Sequence, residues 1–228
     1  MRKRETNIDK VILLYADIGW KKWFSKIRFW DAPFFEVEKI ISKKGFIVDL
    51  GCGEGIFTNF LALSSGKRKI LGFELDGKRV KQADRGLKNV NFKQGNVLKI
   101  RLPSCDTIVL FHLLHHLKSY KDQKKLIDSC FNAIEKRGRL IIVEVDVKLS
   151  LKYFISWLTD HFVVPILFEG KLFEKDVHFR NKNEWLELLE QKEFDCKTFS
   201  FEKGKPFTHV VFECTKKPKL VNQGRIIN

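Results

Sequence analysis

The sequence predicts an α/β fold: a three-layer sandwich in which helices cover a mostly parallel, seven-stranded sheet that ends in an antiparallel hairpin. One observation is that short runs of β-branched and apolar residues alternate with amphipathic runs of helical period, the pattern of βαβ units. Another is a pair of strand-like runs that follow each other across a turn near the carboxyl terminus. The chain has 228 residues, of which 44% are hydrophobic, so we expect a single domain with one core.

The predicted elements begin with a helical lead-in at 1–44 that is rich in aromatic side chains. A cofactor-binding core follows at 45–146, where the strand runs are rich in Val, Ile, Leu and Phe and the helical runs repeat apolar residues at three- and four-residue intervals. The strands of this core are predicted at 46–50, 69–74, 90–94, 107–111 and 139–145, and its helices at 56–64, 78–86 and 120–135.

Residues 147–192 break the alternation and are predicted to form a substrate lid and a helix. The lid is a mostly apolar stretch at 149–168, and the helix is an amphipathic run at 182–190.

Residues 193–216 are predicted to form the antiparallel hairpin. Its strands lie at 198–201 and 208–214, and the Gly- and Pro-containing turn at 202–206 joins them. We expect residues 217–228 to be a flexible tail.

Three glycines follow the first predicted strand, in the segment IVDLGCGEGIF. Gly51, Gly53 and Gly55 stand where the strand gives way to a helix, the edge at which open α/β sheets bind ligands. Glu74 ends the next strand about twenty residues further on, the spacing at which a carboxylate binds a nucleoside ribose. The third glycine comes one residue early for a dinucleotide fingerprint, and Glu54 places negative charge where a pyrophosphate would lie. The segment therefore predicts a nucleoside-containing cofactor other than a dinucleotide.

Several segments in the same order carry a resemblance to a known family. VDLGCGEG followed by LGFELD resembles motifs I and II of the class I S-adenosylmethionine-dependent methyltransferases. NFKQGNVLKI resembles the adenine-contacting segment, CDTIVLFHLLHHL the fourth strand with its loop, and LIDSCFNAIEKRGRLIIVEVD the helix, glycine turn and fifth strand. The resemblance implies a Rossmann-like sandwich that transfers a methyl group from S-adenosyl-L-methionine.

The resemblance also implies which residues bind the cofactor. Asp49 would face the ammonium group of its methionine part, and Glu74 would accept hydrogen bonds from both ribose hydroxyls. Asn96 stands where an aspartate is commoner in the family, and its amide can still accept from the adenine amino group, although a turn residue is the alternative. The full set of implied cofactor contacts is Asp49, Gly51, Cys52, Gly53, Glu74, Leu75, Asn96, Val97 and Phe111.

The segment FHLLHHL supplies candidate proton acceptors, because the loop after the fourth strand opens toward the transferred methyl. His115 and His116 are the first candidates, since histidine titrates near neutral pH. The alternative is a histidine that packs against the core at the start of a helix. Weaker candidates are His112, Asp176, His178 and His209. The loop lacks an N-P-P-Y-like segment and a cysteine, which argues against the exocyclic amine of adenine, the amide of glutamine and cytosine C5 as acceptors.

The composition indicates a soluble protein with an anionic partner. The net charge of +15 favours contact with nucleic acid or an anionic membrane surface, although a generally Lys-rich proteome would give the same excess. Five cysteines are scattered without C-x-x-C spacing, so we expect reduced thiols, no metal site and a cytoplasmic location. The charged amino terminus and the lack of a long apolar run indicate neither a signal peptide nor a membrane span.

The acceptor predicted first is a lipophilic small molecule, because the apolar stretch at 149–168 would cover the pocket and basic residues on its rim would face an anionic membrane. The ending at 182–216 also resembles that of small-molecule methyltransferases. An RNA methyltransferase is the alternative, supported by the basic charge and by aromatic residues at 20–35 that could stack on bases. A third interpretation is a cofactor-binding protein without catalysis.

Overall fold

The computed structural model describes residues 2–16, 29–30, 32–145, 178–201 and 208–218. The strands are β1 (Gly45–Leu50), β2 (Arg68–Glu74), β3 (Val90–Gln94), β4 (Cys105–Phe111), β5 (Ile134–Val145), β6 (Phe194–Phe201) and β7 (His209–Lys216). The helices are α1 (Arg2–Leu14), α2 (Phe34–Ile40), α3 (Ile56–Ser64), α4 (Gly77–Ala83), α5 (Tyr120–Ala133) and α6 (Lys182–Gln191), with a 3₁₀ turn at Leu114–His116.

The seven strands form one sheet in the order β3-β2-β1-β4-β5-β7-β6. The first five strands are parallel, and β7 pairs antiparallel with both β5 and β6. The predicted fold class, a mostly parallel sheet of seven strands with an antiparallel carboxyl-terminal hairpin, is therefore confirmed. Strand order reverses between β1 and β4, so the carboxyl ends of these two strands flank the crevice where such sheets bind ligands.

Two apolar cores lie on opposite faces of the sheet, because successive strand residues point to opposite sides. In β4, Leu110 belongs to the core that α5 and α6 cover, whereas Val109 belongs to the core that α1, α2 and α3 cover. Helices thus cover both faces, as the three-layer arrangement requires. The aromatic residues Phe29 and Phe34 are buried in the second core.

Five strands begin earlier than the sequence predicted, three of them by one or two residues and β5 and β6 by five and four residues. β5 begins at Ile134, which pairs with Cys105 before an irregularity in the ladder, and β6 begins at Phe194, which is fully buried and pairs with Lys216. Helix α4 ends earlier than predicted, because Asp84 adopts an extended conformation after Ala83.

Arg68 joins the ends of two helices to the sheet. The side chain is fully buried, and its three nitrogens donate to the carbonyls of Ser42 (2.7 Å), Leu61 (3.0 Å) and Ile41 (3.0 Å). It also forms a 2.9 Å ion pair with Glu38. Carbonyls at and beyond helix carboxyl ends lack intrahelical donors, so this guanidinium satisfies several acceptors that would otherwise be buried without partners.

The prediction of reduced thiols is wrong for two of the five cysteines. Cys196 in β6 and Cys214 in β7 are directly opposite in the antiparallel ladder, with Cα atoms 4.1 Å apart, and they form a disulfide. Their separation of 18 residues is unlike the C-x-x-C spacing, and the strand register alone brings them together. The thiols of Cys52, Cys105 and Cys130 are free.

Some predicted features lie outside the described residues. These are the lid at 149–168, Asp176, the turn at 202–206, residues 219–228 and the aromatic residues Trp20, Trp23 and Phe24. Within the described ranges, no helix has the length and apolar character needed to cross a membrane. The same ranges contain no group of three or more His, Cys, Asp and Glu side chains placed to hold a metal ion.

Candidate active site

The glycine segment forms a tight loop at the carboxyl end of β1. The backbone amides of Gly51 and Cys52 both donate to the carbonyl of Phe73 on β2, at 2.8 and 3.0 Å. Gly53 and Gly55 have φ angles of 56° and 75°, in the left-handed region that glycine adopts without steric cost. The loop therefore bends around the ends of β1 and β2 before α3 begins.

Glu74 lies against this loop at the end of β2. Its Oε2 accepts from the Gly53 amide at 3.0 Å, and its Oε1 accepts from the amides of Leu75 (2.8 Å) and Asp76 (3.0 Å). Backbone donors thus fix the orientation of the carboxylate. A carboxylate has about four acceptor positions and these amides occupy three of them, so one position on Oε2 remains for a hydroxyl group of a ligand.

Asp49 lies beside the loop on β1 and is almost completely buried. The Thr58 hydroxyl donates to its Oδ2 at 2.5 Å, while Oδ1 has no hydrogen-bond partner among the described residues. The pKa of Asp49 is raised from 3.8 to about 7, chiefly by burial; the Thr58 hydrogen bond lowers this pKa, and the negative charge of Glu74 raises it by a smaller amount. A buried carboxylate oxygen without a partner suits a ligand ammonium group.

Cys52 and Leu113 form the apolar side of the loop. The Cys52 thiol is held protonated, because burial and the charges of Asp49 and Glu74 raise its pKa. A Cβ atom built on Gly51 would lie 2.5 Å from Cδ1 of Leu113, so the Leu113 side chain packs directly on the loop. The sequence interpretation missed Leu113 because it considered only the histidines of FHLLHHL.

The adenine side of the predicted site is formed by the segments after β2 and β3. Leu75 is 63% exposed, whereas Val97 is buried. The first side chain therefore offers an apolar surface to solvent, and the second packs within the protein. The Asn96 amide oxygen accepts from the Leu98 amide at 2.9 Å, which gives Asn96 the turn role that was the alternative in the sequence. A second lone pair on that oxygen is still able to accept from a ligand amino group.

Phe111 ends β4 within a cluster of aromatic rings. Its ring centroid lies 5.1 Å from that of Phe34 and 4.9 Å from that of Phe57. Helix α2 of the lead-in thus supplies an aromatic side chain to the carboxyl end of β4. The cluster forms an apolar wall at the carboxyl end of β4.

The predicted proton acceptors lie in different environments. His115 is buried, its Nδ1 lies 2.5 Å from Oε2 of Glu144, and its ring stacks on Phe179 with centroids 5.0 Å apart. Glu144 also accepts from the Leu114 amide at 2.9 Å, so it holds the whole turn after β4. His116 is exposed and adjoins His115, with 4.1 Å between ring centroids. Glu144 was absent from the sequence prediction because its place in β5 resembled an ordinary strand position.

The weaker candidates form two further contacts at this sheet edge. His112 has a φ of 52° and its ring stacks on that of His209, 5.0 Å between centroids. The His178 amide donates to the carbonyl of His115 at 3.0 Å, which places the segment before α6 beside the turn. The antiparallel β7 starts at the edge where β4 and β5 end, and this explains how His209 reaches His112.

Comparison with known proteins identifies the central part of the chain. A family model described as "Methyltransferase domain" matches residues 48–142, from the end of β1 into β5. Residues 48–142 are a methyltransferase domain. The chain around this methyltransferase domain has the class I fold of S-adenosylmethionine-dependent methyltransferases.

Solved structures share this methyltransferase fold. An S-adenosylmethionine-dependent methyltransferase from Methanosarcina mazei is similar with a TM-score of 0.59 and 18% identity, over 82% of this chain and 98% of its own. Magnesium protoporphyrin IX methyltransferase from Synechocystis PCC 6803, solved with bound SAH, is similar with a TM-score of 0.63 and 15% identity, over 93% of this chain and 95% of its own. Human N-acetylserotonin methyltransferase, solved with SAM, is similar with a TM-score of 0.61 and 17% identity, over 85% of this chain and 54% of its own. No curated protein matches the sequence.

The methyltransferase domain has the features that a nucleoside cofactor with an ammonium group requires. Asp49 has a buried acceptor without a partner in the described chain, and Glu74 has a spare acceptor position on Oε2. A Cβ atom at Gly53 would meet nothing described within 4 Å, so a ligand can approach that backbone closely. The residues present therefore fit the predicted cofactor.

Proposed function

We propose that this chain transfers a methyl group from S-adenosyl-L-methionine to a lipophilic small molecule by in-line displacement. The observation that carries the proposal is the joint placement of Glu74, the Gly53 amide and the unpartnered Asp49 oxygen at one end of β1 and β2. When bound, the cofactor supplies a methyl group on a sulfonium, which an aligned nucleophile can accept without a covalent enzyme intermediate.

The cofactor roles of the residues follow from their contacts. Glu74 accepts from a ribose hydroxyl at its remaining position on Oε2 while backbone amides hold it in place. Asp49 pairs with the ammonium group and is oriented by Thr58. Gly51, Cys52 and Gly53 provide the backbone surface. Leu75, Asn96 and Val97 contact the adenine, whereas Phe111 with its aromatic cluster forms the apolar wall toward the acceptor.

His115 is the proposed proton acceptor for an acceptor molecule that must lose a proton. Glu144 lies on its Nδ1, and a carboxylate accepts the Nδ1 proton, so Nε2 is the basic nitrogen. His116 is a second candidate because it is exposed beside His115. In either case the base must lie within hydrogen-bonding reach of the acceptor.

The small-molecule acceptor is supported by the aromatic cluster beside the site and by the apolar sequence at 149–168. Two enzymes of similar fold are named for small molecules, magnesium protoporphyrin IX and N-acetylserotonin. A net charge of +15 supports contact with an anionic membrane, where lipophilic molecules partition. A cytoplasmic location stays a prediction, and the Cys196–Cys214 disulfide counts against a permanently reducing compartment.

RNA is the second candidate acceptor, because one part of the surface is strongly basic. Residues 78–101, which include α4 and β3, contain eight Lys and Arg residues and one acidic residue, Asp84. The aromatic part of that argument is weaker, since Phe29 and Phe34 are buried in the core while Trp30 is 60% exposed.

The proposal is tested by calorimetric titration of S-adenosylmethionine and S-adenosylhomocysteine into the wild type, Glu74→Gln and Glu187→Gln. Glu187 is exposed on α6, so its variant controls for the change in charge. We expect Glu74→Gln to weaken binding by about 10- to 100-fold, as the loss of a charged acceptor predicts, and Glu187→Gln to bind like the wild type. Absence of binding to folded wild type would overturn the cofactor assignment.

Methyl label from the cofactor then identifies the acceptor class. Label is offered with a lipid-soluble extract and, separately, with total RNA. Transfer to the extract supports the first proposal. Transfer to RNA, with binding that weakens steeply as salt rises, would support the second candidate instead. Cofactor binding without transfer to either would favour a binding protein without catalysis.

A further inference from the structure

The residue that follows helix α1 reaches the glycine loop. Tyr15 is fully buried, and its phenolic hydroxyl donates to the backbone carbonyl of Glu54 at 2.5 Å. Glu54 stands between Gly53 and Gly55, at the centre of the loop that wraps the proposed cofactor site. A residue 39 positions earlier in the chain therefore holds the middle of this loop.

A buried side chain fixes the direction of the Tyr15 hydroxyl. Asn59 Nδ2 donates to the Tyr15 oxygen at 2.8 Å and to the carbonyl of Ala83 at 2.9 Å. With the oxygen accepting from Asn59, the hydroxyl proton points to Glu54. Burial raises the pKa of Tyr15, so the phenol keeps the proton that it donates.

Two arginines complete the arrangement, Arg79 in helix α4 and Arg85 just after it. The Arg85 guanidinium lies over the Tyr15 ring, 4.6 Å from its centroid, and Arg79 pairs with the Glu54 carboxylate at 3.5 Å. Glu54 is thus held at its carbonyl by Tyr15 and at its side chain by Arg79. Segments before, within and after the loop meet at one residue.

Holding Glu54 bears directly on Glu74. The residue before Glu54 is Gly53, whose amide donates to Glu74 Oε2 at 3.0 Å. A loop with three left-handed glycines loses much conformational entropy when a ligand orders it, and a loop that is ordered beforehand loses less. A fixed Glu54 carbonyl therefore keeps the Gly53 amide and the Glu74 carboxylate in the geometry that binds a ribose.

We propose that Tyr15 is a positioning residue for the cofactor, through which the docked amino-terminal helix sets the affinity of the glycine loop. The inference rests on the proposed function. The proposed role requires no contact between Tyr15 and the cofactor. Through Tyr15, helix α1 contributes to cofactor binding as well as to packing of the core.

Tyr15→Phe tests the inference, with Tyr120→Phe as the matched control. Tyr120, the first residue of α5, also donates a hydrogen bond to a backbone carbonyl, that of Phe179 at 3.1 Å, and this contact lies outside the glycine loop. We expect Tyr15→Phe to raise the dissociation constant for S-adenosylhomocysteine by about 5- to 20-fold, the loss of one well-formed hydrogen bond. Tyr120→Phe should leave it unchanged.

Amide hydrogen exchange separates loop positioning from general stability. In Tyr15→Phe the amides of the Gly53–Gly55 loop should exchange faster while those of the central strand β5 keep their wild-type rates. Should Tyr15→Phe not fold, Arg85→Gln removes the cation over the ring and leaves the hydroxyl in place. It should give the same two changes with smaller size.

The outcomes distinguish the inference from the function on which it rests. If the wild type binds the cofactor and Tyr15→Phe binds equally well, the positioning role is overturned and the proposed function stands. If loop and β5 amides exchange faster to the same extent, Tyr15 is a core residue and the positioning role is likewise overturned. If the folded wild type binds neither cofactor form, both fall together.

Discussion

The hydroxyl of Thr58, in the first turn of α3, donates to Oδ2 of Asp49 at 2.5 Å and leaves Oδ1 of the same buried carboxyl group without a described partner. The pair lies where the strand β1 meets the cofactor loop. One oxygen is thus held by the protein and the other is available to a ligand. The pKa of Asp49 should therefore change when a charged ligand group binds beside Oδ1.

Asp49 should make the stability of the ligand-free protein depend on pH. Burial raises its pKa from 3.8 to about 7, so the native protein holds a proton that the unfolded chain has lost. The free energy of unfolding should therefore fall as pH rises from about 4 to 7, by about 1.4 kcal/mol per pH unit at most. Urea denaturation at several pH values measures this slope. Asp49→Asn should flatten it, and an equal slope in the variant would contradict the assignment.

Substitution of two loop glycines should separate binding from folding. Both have left-handed φ angles, so alanine at either costs about 1–2 kcal/mol. At Gly55 the added Cβ would also lie 2.8 Å from Ala83 Cβ and 2.9 Å from Phe92 Cζ, whereas at Gly53 it meets nothing described. Gly55→Ala should thus lose about 2–5 kcal/mol of stability. Gly53→Ala should stay folded yet bind the cofactor at least tenfold more weakly, which calorimetry and denaturation together would show or refute.

Glu144→Gln should reverse the tautomer of His115. The wild-type carboxylate accepts from Nδ1, whereas a glutamine whose oxygen accepts from the Leu114 amide presents its amino group to Nδ1. Nε2 would then carry the proton and lose its basicity. Nitrogen NMR of the imidazole should show the reversal, and transfer to an acceptor that must be deprotonated should slow by about a hundredfold.

Two measurements can contradict this prediction. Glu213→Gln on β7 is the control for lost charge, and it should change neither the tautomer nor the transfer rate. A wild-type rate in Glu144→Gln, together with the reversed tautomer, would exclude His115 as the proton acceptor.

Arg68→Lys should destabilise the protein by about 2–4 kcal/mol although it keeps the positive charge. The guanidinium donates to three backbone carbonyls and pairs with Glu38, and an ammonium group cannot reach this spread of acceptors. Chemical denaturation measures the loss. Exposed Arg137→Lys should change stability by less than about 0.5 kcal/mol, and similar losses in both variants would contradict the role given to Arg68.

Reduction of the Cys196–Cys214 disulfide should lower stability by about 3 kcal/mol, the loop entropy of its separation of 18 residues. Urea unfolding with and without reductant measures the difference. In the double variant Cys196→Ser with Cys214→Ser, reductant should not change the free energy of unfolding beyond the error of the measurement. Mass spectrometry that finds five free thiols in the protein purified without reductant would contradict the disulfide itself.

The sequence predicted the framework of the molecule because local patterns encode it. The strand at 90–94 and the helix at 56–64 have the predicted bounds. Each was recognised from the spacing of its apolar residues, which is a local property of the sequence. The glycine loop and Glu74 were also found in sequence, because their backbone and spacing requirements are local to one βα unit.

The remaining features depend on contacts between distant parts of the chain. The disulfide needs the register of β6 against β7, and Glu144 reaches His115 across 29 residues. Tyr15 contacts a loop 39 residues away, and the sequence predicted its segment only as part of a helical, aromatic-rich lead-in. No local pattern carries such pairings, so only the three-dimensional structure shows them.

The position of β7 inside the sheet has a consequence for biosynthesis. β7 separates β5 from β6 and leaves the ribosome after both of them, so neither has its final neighbour until translation has passed residue 216. Until then β5 presents a long edge with buried-type residues such as Ile142 and Val143. A ribosome that stalled near residue 208 would expose an open apolar edge, which chaperones and proteases engage before the enzyme can exist.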